Sequence, residues 1–437
     1  MRTFQLLRQA ILARLPPQLR AFLARSFVLV QKNQHMTSAH SKPALATMSP
    51  GAAYAAPIRD LIASMETTKI GQVANLGRGD ADVIKLWFGE SDVKTPAFIN
   101  RAATKALDEG HTFYTWQRGI PPLREAIARY TSRVYGIDCD TDRITVMGSG
   151  MQVIVLCCQA ILDAGDNVVV VSPAWPNVSQ AIEVMGADAR PVRQILKGDR
   201  WTLDLDQLFA RVDSRTRAIF VNSPCNPTGW MMTSEEQKAV LDFCRKRRIW
   251  LLADEVYARL VYDRDVAPSF LHHATPDDPL IVVQSFSKPW AMTGWRLGWM
   301  TSPAAFGDKM ANLVQFNTSG SPAFLQYGAL AAIEEGEEFL KSMVERCRAG
   351  GEIVFQRLAA LPRVRVARPQ ATFYAFFAVD GMTDSLAFAQ KLVREARVGL
   401  APGSAFGDGG EGYLRLCFAQ SPERLVEALD RMEPFLR

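Results

Sequence analysis

Five short apolar runs constrain this chain most: Arg143–Met147, Asn167–Val171, Ala218–Val221, Trp250–Ala253 and Ile281–Gln284. Each is almost continuously hydrophobic, as strands buried on both faces of a parallel sheet are, and each is separated from the next by enough chain for a helical crossover. The pattern predicts an α/β fold with a three-layer, mostly parallel sheet covered on both faces by helices. Ligands of such sheets sit just beyond the carboxyl ends of the strands. All five runs lead directly into a polar or glycine-bearing segment, so one sheet edge collects the chemistry.

Beyond residue 330 the pattern changes to a long helical stretch around Glu334–Leu358, then β-type runs at Arg363–Ala367, Phe373–Phe377 and Tyr413–Phe418, and a last helix at Pro422–Arg437. A chain of 437 residues is long for one core, and two domains are expected. The expected division is a large domain over 95–330 and a smaller α+β domain over 331–437. Residues 51–94 join the smaller one, and 1–50 form an extension outside the fold. Residues 1–36 are Arg-rich and acid-free, like an organellar presequence, but Pro16-Pro17 break any long helix there. A disordered extension, or a start upstream of the true one at Met36, is the preferred reading over targeting.

The net charge of +5 suggests nucleic-acid binding only until it is located. Residues 1–59 hold eight basic and no acidic side chains; without them 42 basic face 45 acidic residues, a formal charge of −3. Hydrophobic residues at 48% and charged residues at 22% suit a water-exposed globular protein, and no apolar run approaches the roughly 18 residues of a membrane span. Neither nucleic acid nor membrane is an expected partner. The seven scattered cysteines and five histidines, including His272-His273, show no metal-ligand spacing, so no metal is expected; buried reduced thiols in a cytoplasmic protein are.

The segments after the strands carry the candidate site. Gly148-Ser149-Gly150-Met151 opens a helix, where small residues let backbone N–H groups approach a phosphate. The third glycine of a dinucleotide fingerprint is missing, which argues against a nicotinamide dehydrogenase. Trp175, between prolines, offers a flat face for stacking on an aromatic ring, and the turn Asn222–Gly229 presents the Asn226 amide. Asp254 ends an apolar strand and is costly to bury unless it meets a cation such as a protonated pyridine nitrogen. Tyr257 follows three residues on. Lys288, in the apolar and aromatic segment Ser285–Gly298, should have a depressed pKa, while Ser285 and Arg296 supply the hydroxyl and charge that a phosphate needs.

The turn Asn226-Pro227-Thr228-Gly229, the Asp254/Tyr257 pair and the segment Ser285–Lys288 with Arg296, in this order, resemble the class I/II aminotransferases of the aspartate aminotransferase superfamily, fold-type I enzymes of pyridoxal 5'-phosphate (PLP). The resemblance covers residues 54–437. It implies an aminotransferase that moves an amino group between an L-amino acid and a 2-oxo acid by way of the pyridoxamine form, with Lys288 carrying PLP as a Schiff base. It further implies that Ser149, Gly150, Met151, Ser285 and Arg296 hold the phosphate, that Trp175 stacks on the ring, and that Asn226 and Tyr257 bond the ring hydroxyl. Asp254 would keep the ring nitrogen protonated. Gly89 and Arg415, with Asn226, would bind the substrate carboxylate, and Tyr114 would reach the phosphate of the other subunit in a homodimer with shared sites.

Some acidic-substrate members of this branch have a lysine where Met151 stands. A thioether cannot pair with an anion, so an apolar or aromatic amino donor is the preferred reading, although an arginine elsewhere could serve an acidic one. A PLP-dependent carbon–sulfur β-lyase or an aminocyclopropane-carboxylate-synthase-like lyase would need the same residues. A PLP-sensing module on a DNA-binding domain has only residues 1–59 for that domain, and they contain no helix-turn-helix pattern.

Overall fold

The computed structural model describes residues 58–437; the expectations for 1–50 and for the extension lie outside the described residues. The five apolar runs are strands of one seven-stranded sheet. Its strands in chain order are β1 (Ile144–Met147), β2 (Asn167–Ser172), β3 (Asp188–Arg193), β4 (Thr216–Asn222), β5 (Trp250–Asp254), β6 (Leu280–Ser285) and β7 (Gly298–Thr301). They lie in the order β1-β7-β6-β5-β4-β2-β3. All neighbours are parallel except β7, which runs antiparallel to both β6 and β1.

Two of these strands are absent from the pattern of apolar runs. β3, of sequence DARPVR, lies at the sheet edge and is largely half-exposed, so its polar residues concealed it. β7 is short and fully buried, and it follows directly on a segment whose polar and aromatic residues dominate the local pattern. An antiparallel strand between β6 and β1 leaves those two pointing the same way. The carboxyl ends of β1, β2, β4, β5 and β6 therefore share one edge, and the amino end of β7 joins them.

Burial on both faces follows from the two-residue period. Val168 and Val170 pack with Phe220, Leu252, Ile281 and Val283 under the helices Gly150–Ile161, Asn177–Val184 and Ala304–Asn317. Val169, Val171, Ile219, Val221, Leu251 and Ala253 face the other way, towards the helix Ser234–Arg247. A reciprocal cap starts that helix: Thr233 accepts from the Glu236 amide at 3.2 Å, and the Glu236 carboxylate accepts from the Thr233 amide at 2.8 Å.

The later segment forms a four-stranded antiparallel sheet of β8 (Val364–Val366), β9 (Tyr374–Val379), β10 (Ala401–Pro402) and β11 (Tyr413–Cys417), in the order β8-β9-β11-β10. The helical stretch expected around Glu334–Leu358 is the helix Glu337–Ala359, and a second helix, Ala323–Glu335, directly precedes it. Gly336 separates them, where a β-carbon would lie 2.5 Å from the Trp290 indole nitrogen. Upstream, Ile84-Lys85 pairs in parallel with Val398-Gly399 and ties residues before the large sheet to those after it.

Gly298 makes the shared edge tight. A β-carbon there would meet the Gly150 amide nitrogen at 2.6 Å and the Gln284 carbonyl at 2.7 Å, both backbone atoms that cannot swing away. Gly298→Ala is expected to destabilise the protein by about 1–3 kcal/mol and to lower PLP affinity, since the start of helix Gly150–Ile161 must shift. Denaturant unfolding and a PLP titration check this; unchanged values for both would contradict it.

Candidate active site

The shared edge opens onto a cavity of about 440 Å³. Five of the strands deliver residues at their carboxyl ends or from the turns that follow. Gly150 and Met151 come after β1, Trp175 after β2, Asn226 after β4, Asp254 and Tyr257 at and after β5, and Ser285 and Lys288 at and after β6. Arg296 precedes β7. The antiparallel sheet closes the far side with Tyr374 and Arg415, and Phe88 and Gly89 line it from the segment after Lys85.

Lys288 donates from Nζ to the Gly89 carbonyl at 2.7 Å and sits 5.8 Å from the ring centroids of Tyr257 and Phe373. Burial lowers its pKa to about 8, and the Arg415 and Arg296 charges push the same way. Asp254 is buried, and burial raises its carboxyl to about 7, only partly offset by the Val256 amide and by Lys288. Neighbouring Glu255 turns aside to accept from the Phe270 amide at 3.0 Å; burial lifts it to about 8. The Tyr257 phenol is pushed well above its ordinary range by burial and by the Tyr374 hydroxyl 2.7 Å away.

Arg415 is 2% exposed. One terminal nitrogen donates to Asn226 Oδ1 at 2.9 Å and the other to the Trp87 carbonyl, while Nε has no partner among the described residues. An arginine can only donate, so Asn226 must turn its oxygen to Arg415 and keep its NH₂ free for the cavity. The Asn226 backbone is fixed by Asn222 Oδ1 at 2.7 Å, and Asn222 Nδ2 reaches back to the Asp254 carbonyl at 2.9 Å.

Of the residues singled out in the sequence, eleven line this cavity: Gly89, Gly150, Met151, Trp175, Asn226, Asp254, Tyr257, Ser285, Lys288, Arg296 and Arg415. Two do not. The Ser149 hydroxyl accepts from the Gln152 amide at 3.0 Å and caps the helix that begins at this edge. Tyr114 is 93% exposed and away from the cavity lining. Asn222, Ser287, Tyr374, Ile70 and Phe88 also line the cavity and were not assigned a role from sequence. Asn222 and Ser287 were legible as polar residues inside the segments already quoted; Tyr374 was hidden in an aromatic run that reads as core.

The family model for class I and II aminotransferases matches residues 81–432. The chain belongs to the class I and II aminotransferase family. An aspartate aminotransferase of Pyrococcus horikoshii is 34% identical over 383 residues, 87% of this chain and 97% of the relative. An aromatic-amino-acid aminotransferase of Thermococcus litoralis is 33% identical over 87% of this chain and 98% of its own length. The solved alanine aminotransferase of Pyrococcus furiosus superposes with a TM-score of 0.81 at 28% identity, covering 87% of this chain and 99% of that one. The aminotransferase fold is accordingly fold type I, the chain is an enzyme of the transaminase type, and its cofactor is PLP. None of these three relatives is named a lyase.

The residues of this aminotransferase fit PLP on their own account. Asp254 is a buried carboxyl without an adequate cation, which a protonated pyridine nitrogen would supply. Lys288 is a buried amine whose pKa is lowered to about 8, and Gly298 lets a helix N-terminus stand at the same edge for an anionic group. Among the described residues no helix is long and apolar enough to cross a membrane, and no group of three or more His, Cys, Asp or Glu could hold a metal.

Proposed function

We propose that this aminotransferase takes an L-amino acid with an apolar or aromatic side chain as amino donor and a 2-oxo acid as acceptor. The lining of the cavity carries this reading. Its three cations, Lys288, Arg296 and Arg415, already have assigned work. Arg296 donates to the Thr293 carbonyl at 2.6 Å and otherwise faces the place of the phosphate. The remaining walls include Ile70, Phe88, Met151 and Trp175, so an apolar side chain would be desolvated among like groups, whereas a second carboxylate would be left unpaired. Lys69 lines the adjoining hollow and is engaged with the Ser404 carbonyl at 3.4 Å.

When bound, PLP supplies the electron sink for the substrate α-carbon and the carbon that accepts the amino group. Arg415 receives the α-carboxylate, aided by the Asn226 amide, and fixes which face of the α-carbon meets Lys288. The Lys288 amine would take the proton from the substrate α-carbon, a task its pKa of about 8 suits. Asp254 holds the proton on the ring nitrogen as its counter-ion. Asn226 and Tyr257 would donate to the ring hydroxyl, Trp175 would stack on the ring, and Gly150, Met151, Ser285, Arg296 and the capped helix start at Ser149 would hold the phosphate.

Phe113, Tyr114, Trp116 and Phe316 are exposed by 59–93%, and Gln117 bonds Gln315 at 2.6 Å between the two segments. Exposed aromatics of this density suit contact with a second copy, in which Tyr114 would reach the other phosphate site. Residues 51–94 and 331–437 would form the small domain beside the large domain 95–330, a reading supported by the pairing of Ile84 with Val398. Seven buried free thiols suit a reducing, cytoplasmic setting.

A panel of donors tests the substrate class. Aromatic and aliphatic amino acids are expected to exceed aspartate in kcat/KM by about tenfold or more. Met151→Lys is expected to raise kcat/KM for aspartate by about tenfold while lowering that for phenylalanine. Aspartate as the best donor of the unaltered enzyme would overturn the reading.

A further inference from the structure

We infer that Tyr374 is a positioning residue for the reaction, its hydroxyl setting the direction in which the Tyr257 proton points. The inference rests on the proposed role of Tyr257 as donor to the cofactor's ring hydroxyl. The two phenol oxygens are 2.7 Å apart, and both side chains are almost wholly buried.

The Tyr374 side chain is held by close neighbours. A β-carbon on Gly89 would lie 1.9 Å from it, so that glycine leaves the space in which the hydroxyl sits. The Arg415 guanidinium packs on the Tyr374 ring at 4.5 Å, and the Tyr257 ring meets it edge-on at 5.7 Å and 76°. Register in the antiparallel sheet sets Tyr374 opposite Cys417. The charged and titratable groups that face the pair are Arg415 and Cys417 from β11, Asp254 from β5, and Lys288 from the segment after β6.

Each phenol has one proton to donate and can accept as well. Were Tyr257 to donate to Tyr374, it could only accept from the cavity, and an anionic ring oxygen there would meet two lone pairs. Were Tyr374 to donate to Tyr257, the Tyr257 proton would be free for that oxygen, and the chain of two hydrogen bonds would strengthen each member. Tyr257 is the one hydrogen-bond partner of the Tyr374 side chain among the described residues, so the second arrangement leaves both phenols satisfied. Phenylalanine would fill the same space without burying a hydroxyl, so packing alone does not account for a tyrosine here.

The test is a pH titration of the visible absorption of the PLP-loaded protein, compared among the unaltered chain, Tyr374→Phe, Tyr257→Phe and the double variant. Hydrogen bonds donated to the ring oxygen favour its anion, so losing them raises the pH midpoint of the spectral change. Tyr374→Phe is expected to raise it by about half to one pH unit, and Tyr257→Phe by more. The double variant should match Tyr257→Phe alone, because Tyr374 acts through Tyr257. A shift in Tyr257→Phe with none in Tyr374→Phe, shifts that add, or loss of the absorption band from Tyr374→Phe alone would overturn the inference. No shift in either single variant would overturn the role of Tyr257 as well.

Discussion

Lys288→Ala is expected to reduce transamination by about 10⁴-fold or more and to abolish the visible absorption band that PLP gives with the unaltered protein. The nitrogen lost is the one 2.7 Å from the Gly89 carbonyl, in the lining of the cavity shared with Asp254, Tyr257 and Arg415. Lys288→Arg should fare no better despite keeping the charge, since a guanidinium cannot give up its proton to become a base. The lowered pKa adds a pH signature. A base with a pKa of about 8 is increasingly neutral as pH rises through that value, so the proton-transfer step should quicken up to about pH 8 and then level off. Rapid-mixing measurement of a single half-reaction across pH reads this directly. A rate that falls over the same range would assign the proton transfer to another group.

Asp254→Asn carries the second large effect, with opposite signs on activity and on stability of the cofactor-free protein. Activity should fall by about 10²–10³-fold, because asparagine cannot act as counter-ion to a protonated ring nitrogen. For stability, the folded carboxyl is raised to about 7 while the unfolded one titrates near its ordinary value. As pH rises between those values the unfolded state releases its proton first, so the folded state is progressively disfavoured, by on the order of 4 kcal/mol once both have passed. Asparagine removes that term. The cofactor-free variant should thus be more stable than the unaltered protein above pH 7 and no more stable near pH 4. Glu255, raised to about 8 chiefly by burial and in smaller part by the Asp254 charge, ionises more easily once that charge is gone, which adds to the variant's advantage at high pH. Added PLP should reverse the ranking. Thermal unfolding at the two pH values, with and without PLP, checks this; equal stability of the two cofactor-free proteins at pH 8 would mean that Asp254 is neutralised within the chain.

The sheet was legible in the sequence wherever strands are buried on both faces, because continuous apolar runs such as Asn167–Val171 have few other homes. It was not legible at β3, whose half-exposed edge position tolerates DARPVR, nor at β7, whose sequence GWMT offers no continuous apolar run and follows directly on a polar and aromatic segment. The site was legible through residues that contradict their surroundings: Asp254 at the end of an apolar strand and Lys288 among aromatics. Tyr374 gave no such contradiction, since a tyrosine between Phe373 and Phe376 reads as packing, and only its hydroxyl's position against Tyr257 sets it apart. Ser149 is legible in two ways. A serine in a phosphate turn and a serine that caps the following helix occupy the same place in sequence, and here the hydroxyl turns to the helix.

The most direct test of the account is a titration of the purified, PLP-loaded protein with single amino acids, followed by a 2-oxo acid. The account predicts that an aromatic or aliphatic amino acid converts the lysine-bound band to the pyridoxamine form, that a 2-oxo acid restores it, and that no ammonia appears. A band that no amino acid converts, or conversion accompanied by ammonia release, would contradict it.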